Sequence, residues 1–198
     1  MVALRILEGM NTTPRPDSLL GRTFKNPLIG DEVTFVETAA STAGERTVLE
    51  LRLAPGGGNP LHLHDTYDET FEVLEGTLHC DLDGETVRLE AGDSLTAPRG
   101  RPHRFYAGSE PARFRVTMRP AHAGFERGLA IACGLAVDGL VDEKGLPKGF
   151  ARTAVLFTMG ETQLPGWMGL VAPLLRWKAS TKASRRLERE MVERYCGA

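Results

Sequence analysis

Between Asp31 and Met118 the chain alternates apolar and polar residues over short runs, with turn-forming residues between them. Val33 and Phe35 share one face of the run Asp31 to Thr38. Leu49, Leu51 and Leu53 share one face of Thr47 to Leu53, against Glu50 and Arg52 on the other. Phe71 to Leu74 and Leu78 to Leu82 follow, parted by Gly76. Asp83-Gly84 is a two-residue hairpin signal leading into Val87 and Leu89. Gly92-Asp93 interrupts the pattern before Leu95 to Ala97, and Phe114, Val116 and Met118 alternate with Arg113, Arg115 and Arg119. A period of two puts every second side chain on one side of a sheet. Many short strands at this spacing predict a sandwich or a barrel.

After Pro120 the period changes. Phe125 to Leu135 carries apolar residues at helical intervals, although Gly128 and Gly134 count against a helix there. A turn-rich stretch, Asp142 to Gly149, precedes the short apolar segment Ala151 to Met159. Pro165 then precedes Trp167 to Trp177, and a charged run extends from Lys182 to Arg194. The predicted organisation is a β-barrel with an N-terminal arm over residues 1–120 and a helical extension over 121–198. Trp167, Val171, Leu174 and Leu175 fall at helical spacing, and Leu187, Met191 and Tyr195 form a thinner stripe. Arg185, Arg186, Arg189 and Arg194 crowd the polar side. A basic amphipathic segment can lie on a membrane surface, but interspersed Glu188, Glu190 and Glu193 weaken attraction to anionic lipid. Packing on the barrel or on a second subunit is the expectation.

Composition narrows the class. A chain of 198 residues with 41% hydrophobic and 25% charged side chains can bury a substantial core, and a net charge of −2 offers nucleic acid no basic surface. The residues before the first strand contain Pro14, Pro16 and Pro27 and leave no room for a helix-turn-helix. Met1 to Met10 lacks the charged start and long apolar core of a secretory leader, and no apolar run is long enough to span a membrane. Cys80, Cys133 and Cys196 are scattered and odd in number, which argues against a disulfide framework or a zinc ribbon and for a cytoplasmic setting.

The candidate chemistry lies in two stretches, Gly56 to Gly76 and Gly92 to His103. In a strand successive side chains alternate faces, so His62 and His64, of the same parity, point the same way. Glu69 shares parity with inward Phe71 and Val73, and His103 with Phe105. Three imidazoles and one carboxylate can therefore meet inside one closed sheet, a donor set suited to a divalent transition metal: iron, manganese, zinc, nickel, cobalt or copper. Tyr67, between the ligands, can reach the mouth to donate a proton or bind substrate; a rim tyrosine packed on a loop explains it as well. Arg99 and Arg101 can steer an anionic substrate or simply decorate a surface turn. His79 has outward parity, and His122, beside Pro120, is expected to be exposed. Cys80 is expected to be a buried structural thiol.

These residues resemble the cupin superfamily. Its first motif is Gly, five residues, His-x-His, three or four residues, Glu, six residues, Gly; Gly56, His62, His64, Glu69 and Gly76 fit throughout. Its second is Gly, five residues, Pro-x-Gly, two residues, His, three residues, Asn. Gly92, Pro98, Gly100 and His103 fit, with Ala107 in place of the Asn. The short interval between the motifs looks like that of small bacterial single-domain cupins. The resemblance covers about Val33 to Met118. It implies a mainly β fold, a cupin-type jelly-roll β-barrel, here followed by C-terminal α-helices. It further implies one metal held by His62, His64, Glu69 and His103, a small-molecule ligand in the barrel, and a homodimer. Two functions remain open from the residues: a metal-dependent enzyme of oxygenase or isomerase/lyase type, and a non-catalytic small-ligand-binding module.

Overall fold

Parity along the strands sets the architecture. In the computed structural model, which describes residues 18–163 and 170–197, nine strands form two antiparallel sheets. The strands are β1 (Thr23–Asn26), β2 (Asp31–Glu37), β3 (Thr47–Leu53), β4 (Asp68–Glu75), β5 (Thr77–Leu82), β6 (Glu85–Glu90), β7 (Ser94–Ala97), β8 (His103–Ala107) and β9 (Ala112–Arg119). The larger sheet runs β1-β2-β3-β9-β4-β7 and the smaller β6-β5-β8. Residues 1–17 of the predicted N-terminal arm, with Pro14 and Pro16, lie outside the described residues, as does Trp167 of the predicted helical stripe.

The inward faces named from the sequence are the core. Leu49 of β3 is flanked by Phe35 on β2 and Val116 on β9, and Leu51 by Val33 and Phe114. Phe71 of β4 lies between Val116 and Leu95. All of these except half-buried Leu95 are buried, and each large apolar side chain so placed contributes roughly 1.5–3 kcal/mol of transfer free energy. Asp83 and Gly84 both take positive φ, 54° and 89°, the backbone of a type I′ hairpin, and connect β5 to β6. The outcome is a barrel-like sandwich with the smaller sheet facing the larger.

Four helices follow: α1 (Ala123–Val137), α2 (Phe150–Met159), α3 (Ala172–Ala179) and α4 (Lys182–Met191), with a π-helical turn over Val192–Cys196. Gly134 in α1 has a packing reason that no propensity scale contains. A Cβ on Gly134 would stand 2.2 Å from the Tyr195 ring, so only glycine admits that side chain against the helix. His122 is not exposed as expected: it caps α1, its Nδ1 accepting from Phe125 N at 2.9 Å. The α3 stripe is only partly covered within the chain. Leu174 and Trp177 are half or more exposed, and α3 has no buried residue.

Candidate metal centre

His62 and His64 sit on an extended segment, not in a regular strand. Pro60 precedes it without an N–H to donate, and the Asp65–Thr66 bend ends it. The segment is nonetheless paired. His62 N donates to His103 O at 3.0 Å and His103 N donates to His62 O at 2.8 Å, which sets the two histidines directly opposite each other. Glu69 comes from the larger sheet, beside Met118 of β9 and Ala97 of β7. The two sheets thus each contribute to one cluster at one end of the core.

The four side chains converge. Their ligand atoms all lie within 4.8 Å of one another, and all four residues are buried. His103 Nε2 stands 2.9 Å from Glu69 Oε2 and His64 Nε2 stands 3.2 Å from it. The far ring nitrogens are anchored. His62 Nδ1 lies 2.9 Å from Pro60 O, and His103 Nδ1 lies 2.8 Å from Arg101 O. A carbonyl only accepts, so these Nδ1 atoms carry protons and the Nε2 atoms face inward, that of His103 donating to Glu69 Oε2. His64 Nδ1 lies 2.8 Å from the Tyr67 hydroxyl, which also donates to Gly160 O at 3.3 Å.

Electrostatics follow from burial and these contacts. Burial pushes His62 down to about 4, against the pull of the Glu69 carboxylate. For Glu69, burial works to raise the pKa, but His103 and His64 outweigh it and hold the carboxyl well below the usual carboxylate range. For His103, burial works downward and the Glu69 contact prevails, moving it upward. Burial and then the Glu69 charge push the Tyr67 phenol up, so it keeps its proton. The arrangement is a buried carboxylate held ionised by the imidazoles around it.

These residues fit a divalent cation. His64 Nε2 is a buried nitrogen without a hydrogen-bond partner among the described residues, and its lone pair is directed at the cluster's centre. A cation there would take that lone pair, the other two inward Nε2 atoms and one carboxylate oxygen, a nitrogen-rich set typical of transition-metal sites.

The structure brings together His62, His64, Glu69 and His103, with Tyr67 fully buried behind His64 and not on a rim. It does not bring Arg99 or Arg101 to the cluster. Arg99 grips Asp68 through Nε and Nη2, both at 3.0 Å, and Arg101 Nε pairs with Asp83 at 2.6 Å, at partly exposed positions. His79 stacks on Tyr106 at 5.1 Å, outside the core. Cys80 is buried, and burial pushes its thiol up to about 12, so it offers no thiolate. Phe125, whose ring lies 5.9 Å from that of Tyr67, and Gly160 were not visible as site residues in the sequence; 93 positions separate Gly160 from Tyr67. A separate cavity of about 500 Å³ lies between α2 and α3, lined by Phe150, Phe157, Leu175 and Arg176 among others. It touches the Asp65–Thr66 bend but none of the four clustered residues.

Comparison with known proteins places this arrangement. Residues 49–118 match the family model described as Cupin domain. Quercetin 2,3-dioxygenase of Bacillus subtilis (strain 168) is 35% identical over 89 residues, 43% of this chain and 26% of that protein. Tetracenomycin polyketide synthase protein TcmJ of Streptomyces glaucescens is 37% identical over 71 residues, 35% of this chain and 48% of that protein. The chain therefore spans about half or less of these relatives' lengths. Among solved structures, an RmlC-like cupin from Shewanella frigidimarina is 21% identical with a TM-score of 0.47, covering 53% of this chain and 88% of the other. The matched residues 49–118 include all four side chains of the cluster, and this segment of the chain is similar to the cupin domain.

Proposed function

We propose that this protein is a metal-dependent enzyme, of oxygenase or isomerase/lyase type, acting on a small organic molecule, with His62, His64, Glu69 and His103 as the metal ligands. The observation that carries the reading is the buried three-histidine, one-carboxylate cluster with its Nε2 atoms turned inward. A metal so held supplies Lewis-acid polarisation of a bound oxygen or activation of dioxygen. The chain's own part is to fix the donors, keep Glu69 ionised, and surround the cluster with Phe71, Phe105 and other apolar side chains that exclude water. The relatives' printed names, a dioxygenase and a polyketide synthase protein, support a small organic substrate. One fold hosts many activities, so the names enter as support and not as assignment.

In this reading residues 1–120 are the barrel unit with its N-terminal arm, and 121–198 a helical extension packed on the barrel or on the dimer partner. The exposed apolar residues Leu174 and Trp177 of α3 support a homodimer. Three buried free cysteines support a cytoplasmic setting, and among the described residues no helix is long and apolar enough to cross a membrane.

The test is elemental analysis of untagged protein purified without oxygen, with His62→Ala as control. Stoichiometric iron or manganese together with substrate-dependent oxygen uptake supports the enzyme. A metal-free protein that binds a small ligand equally well with and without His62 overturns it in favour of a ligand-binding module.

A further inference from the structure

The three histidines of the cluster are not held alike. His62 and His103 each anchor Nδ1 on a carbonyl two residues earlier, Pro60 O and Arg101 O, inside the barrel's own loops. His64 is anchored on a side chain, Tyr67, and through it on Gly160, the residue that ends α2 in the helical extension. The hydroxyl has one proton, and Gly160 O can only accept. If Tyr67 donates to that carbonyl, its oxygen must accept from His64 Nδ1–H, leaving Nε2 a bare lone pair. The opposite assignment would put a proton on His64 Nε2, which makes no hydrogen bond despite lying 3.2 Å from Glu69 Oε2, and would leave a buried N–H orphaned.

The anchor is held from several sides. Tyr67 is fully buried, its ring packed edge-on against Phe125 of α1 at 5.9 Å and beside His122 at 5.4 Å. Beyond Gly160 the chain turns through Glu161 at φ 49°, a left-handed conformation that side chains rarely adopt. That turn returns Gln163 to the ligand segment, where Leu63 N donates to Gln163 O at 3.0 Å and Gln163 N donates to Leu63 O at 2.9 Å. Leu63 stands between the two histidines. The end of α2 is fixed in turn against α1, where a Cβ on Gly124 would stand 2.4 Å from Met159 O.

We propose that Tyr67 is a positioning residue that ties His64 to the Gly160 carbonyl, so that the helical extension sets the tautomer and aim of one metal ligand. The proposal rests on the metal-site reading for its purpose, not for its geometry. It assigns the extension a share in metal affinity and makes Tyr67 neither an acid nor a substrate contact.

The experiment compares wild type, Tyr67→Phe and Gly124→Val in two readouts, after circular dichroism shows all three folded. Long-range proton–nitrogen NMR of metal-free protein reports the His64 tautomer. Nδ1–H is expected in wild type, with Nε2–H appearing in Tyr67→Phe, which keeps the ring and removes only the hydroxyl. Cobalt(II) titration is expected to show affinity weakened roughly ten- to a hundredfold by Tyr67→Phe, as for outer partners of metal ligands generally. Gly124→Val, which displaces the end of α2 without touching a ligand, is expected to reproduce part of both effects. An unchanged tautomer and affinity in Tyr67→Phe overturn the proposal. Effects confined to Tyr67→Phe overturn its extension to the helices. Wild type that binds no cobalt overturns the metal reading, while the tautomer result still decides the role of Tyr67.

Discussion

Glu69 Oε2 stands 2.9 Å from His103 Nε2 and 3.2 Å from His64 Nε2, and the residue is only 4% exposed. A carboxylate so buried stays ionised only because the imidazoles are there, and their inward nitrogens in turn need its charge or a cation's. Glu69→Gln keeps the shape and an acceptor for His103 but deletes the charge. The metal-free variant is expected to fold, and its affinity for cobalt(II) or manganese(II) to fall at least tenfold, about 1.4 kcal/mol. Isothermal titration calorimetry checks this; equal affinity would remove Glu69 from the ligand set.

Asp31 is a second buried carboxyl, with a different origin. Its Oδ1 has no hydrogen-bond partner among the described residues, and burial, against backbone hydrogen bonds, pushes its pKa up from 3.8 to about 6. The folded carboxyl therefore holds its proton to a higher pH than the unfolded one. Its contribution to stability is complete below about pH 4, is lost as pH rises through 6, and stays lost above. A shift of about two units corresponds to on the order of 3 kcal/mol. Asp31→Asn is expected to raise the melting temperature at pH 7.5 by several degrees and to leave it unchanged at pH 4. Scanning calorimetry at the two pH values would refute this if the difference were the same at both.

Gly134 and Gly128 lie on the same helix and should respond oppositely. A Cβ on Gly134 would meet the Tyr195 ring at 2.2 Å, a ring held in place because its hydroxyl donates to Asp138 Oδ2 at 2.6 Å. On Gly128 the nearest atom would be 3.8 Å away, ordinary contact. Gly134→Ala is expected to cost about 1–3 kcal/mol through overpacking, more than the propensity gain returns. Gly128→Ala is expected to be neutral or to stabilise by up to about 1 kcal/mol. Chemical denaturation measures both, and a Tyr195→Ala background should abolish the Gly134 penalty.

Much of this was legible because strand parity is local. Phe35, Leu49, Phe71 and Val116 announce the core by alternation, and the same rule turns His62, His64, Glu69 and His103 inward even though the first two lie outside any regular strand. The motif resemblance supplied their common purpose. What parity cannot supply is long-range company. No pattern links Tyr67 to Gly160, or makes Gly134 a seat for Tyr195, because those contacts arise from how the helices dock on the barrel. The same limit applies to α3: spacing identifies an apolar stripe but not what covers it, and Leu174 and Trp177 are exposed within the chain. His122 was expected to be exposed for want of a neighbour, and the neighbour is the helix it caps.

Glu126 shows how that docking is held. It lies in the first turn of α1, buried, and one carboxylate oxygen accepts from Ala39 N at 2.6 Å and from Thr47 Oγ1. Ala39 follows β2 and Thr47 opens β3, so a single side chain of the extension satisfies two donors of the barrel. Placing the acidic residue at the start of a helix also suits the helix dipole. Glu126→Ala strands a backbone N–H and a hydroxyl in the interior, and the cost expected is about 2–4 kcal/mol, since a buried donor left unpaired loses its full solvation. Glu126→Gln keeps the acceptor and should lose less than half of that. Because the contact joins barrel and extension, both should melt together, in one transition seen equally by tryptophan fluorescence, whose two sources Trp167 and Trp177 both follow residue 120, and by far-ultraviolet dichroism. Separate transitions in Glu126→Ala, with the barrel's unmoved from wild type, would show the extension to be an independent appendage.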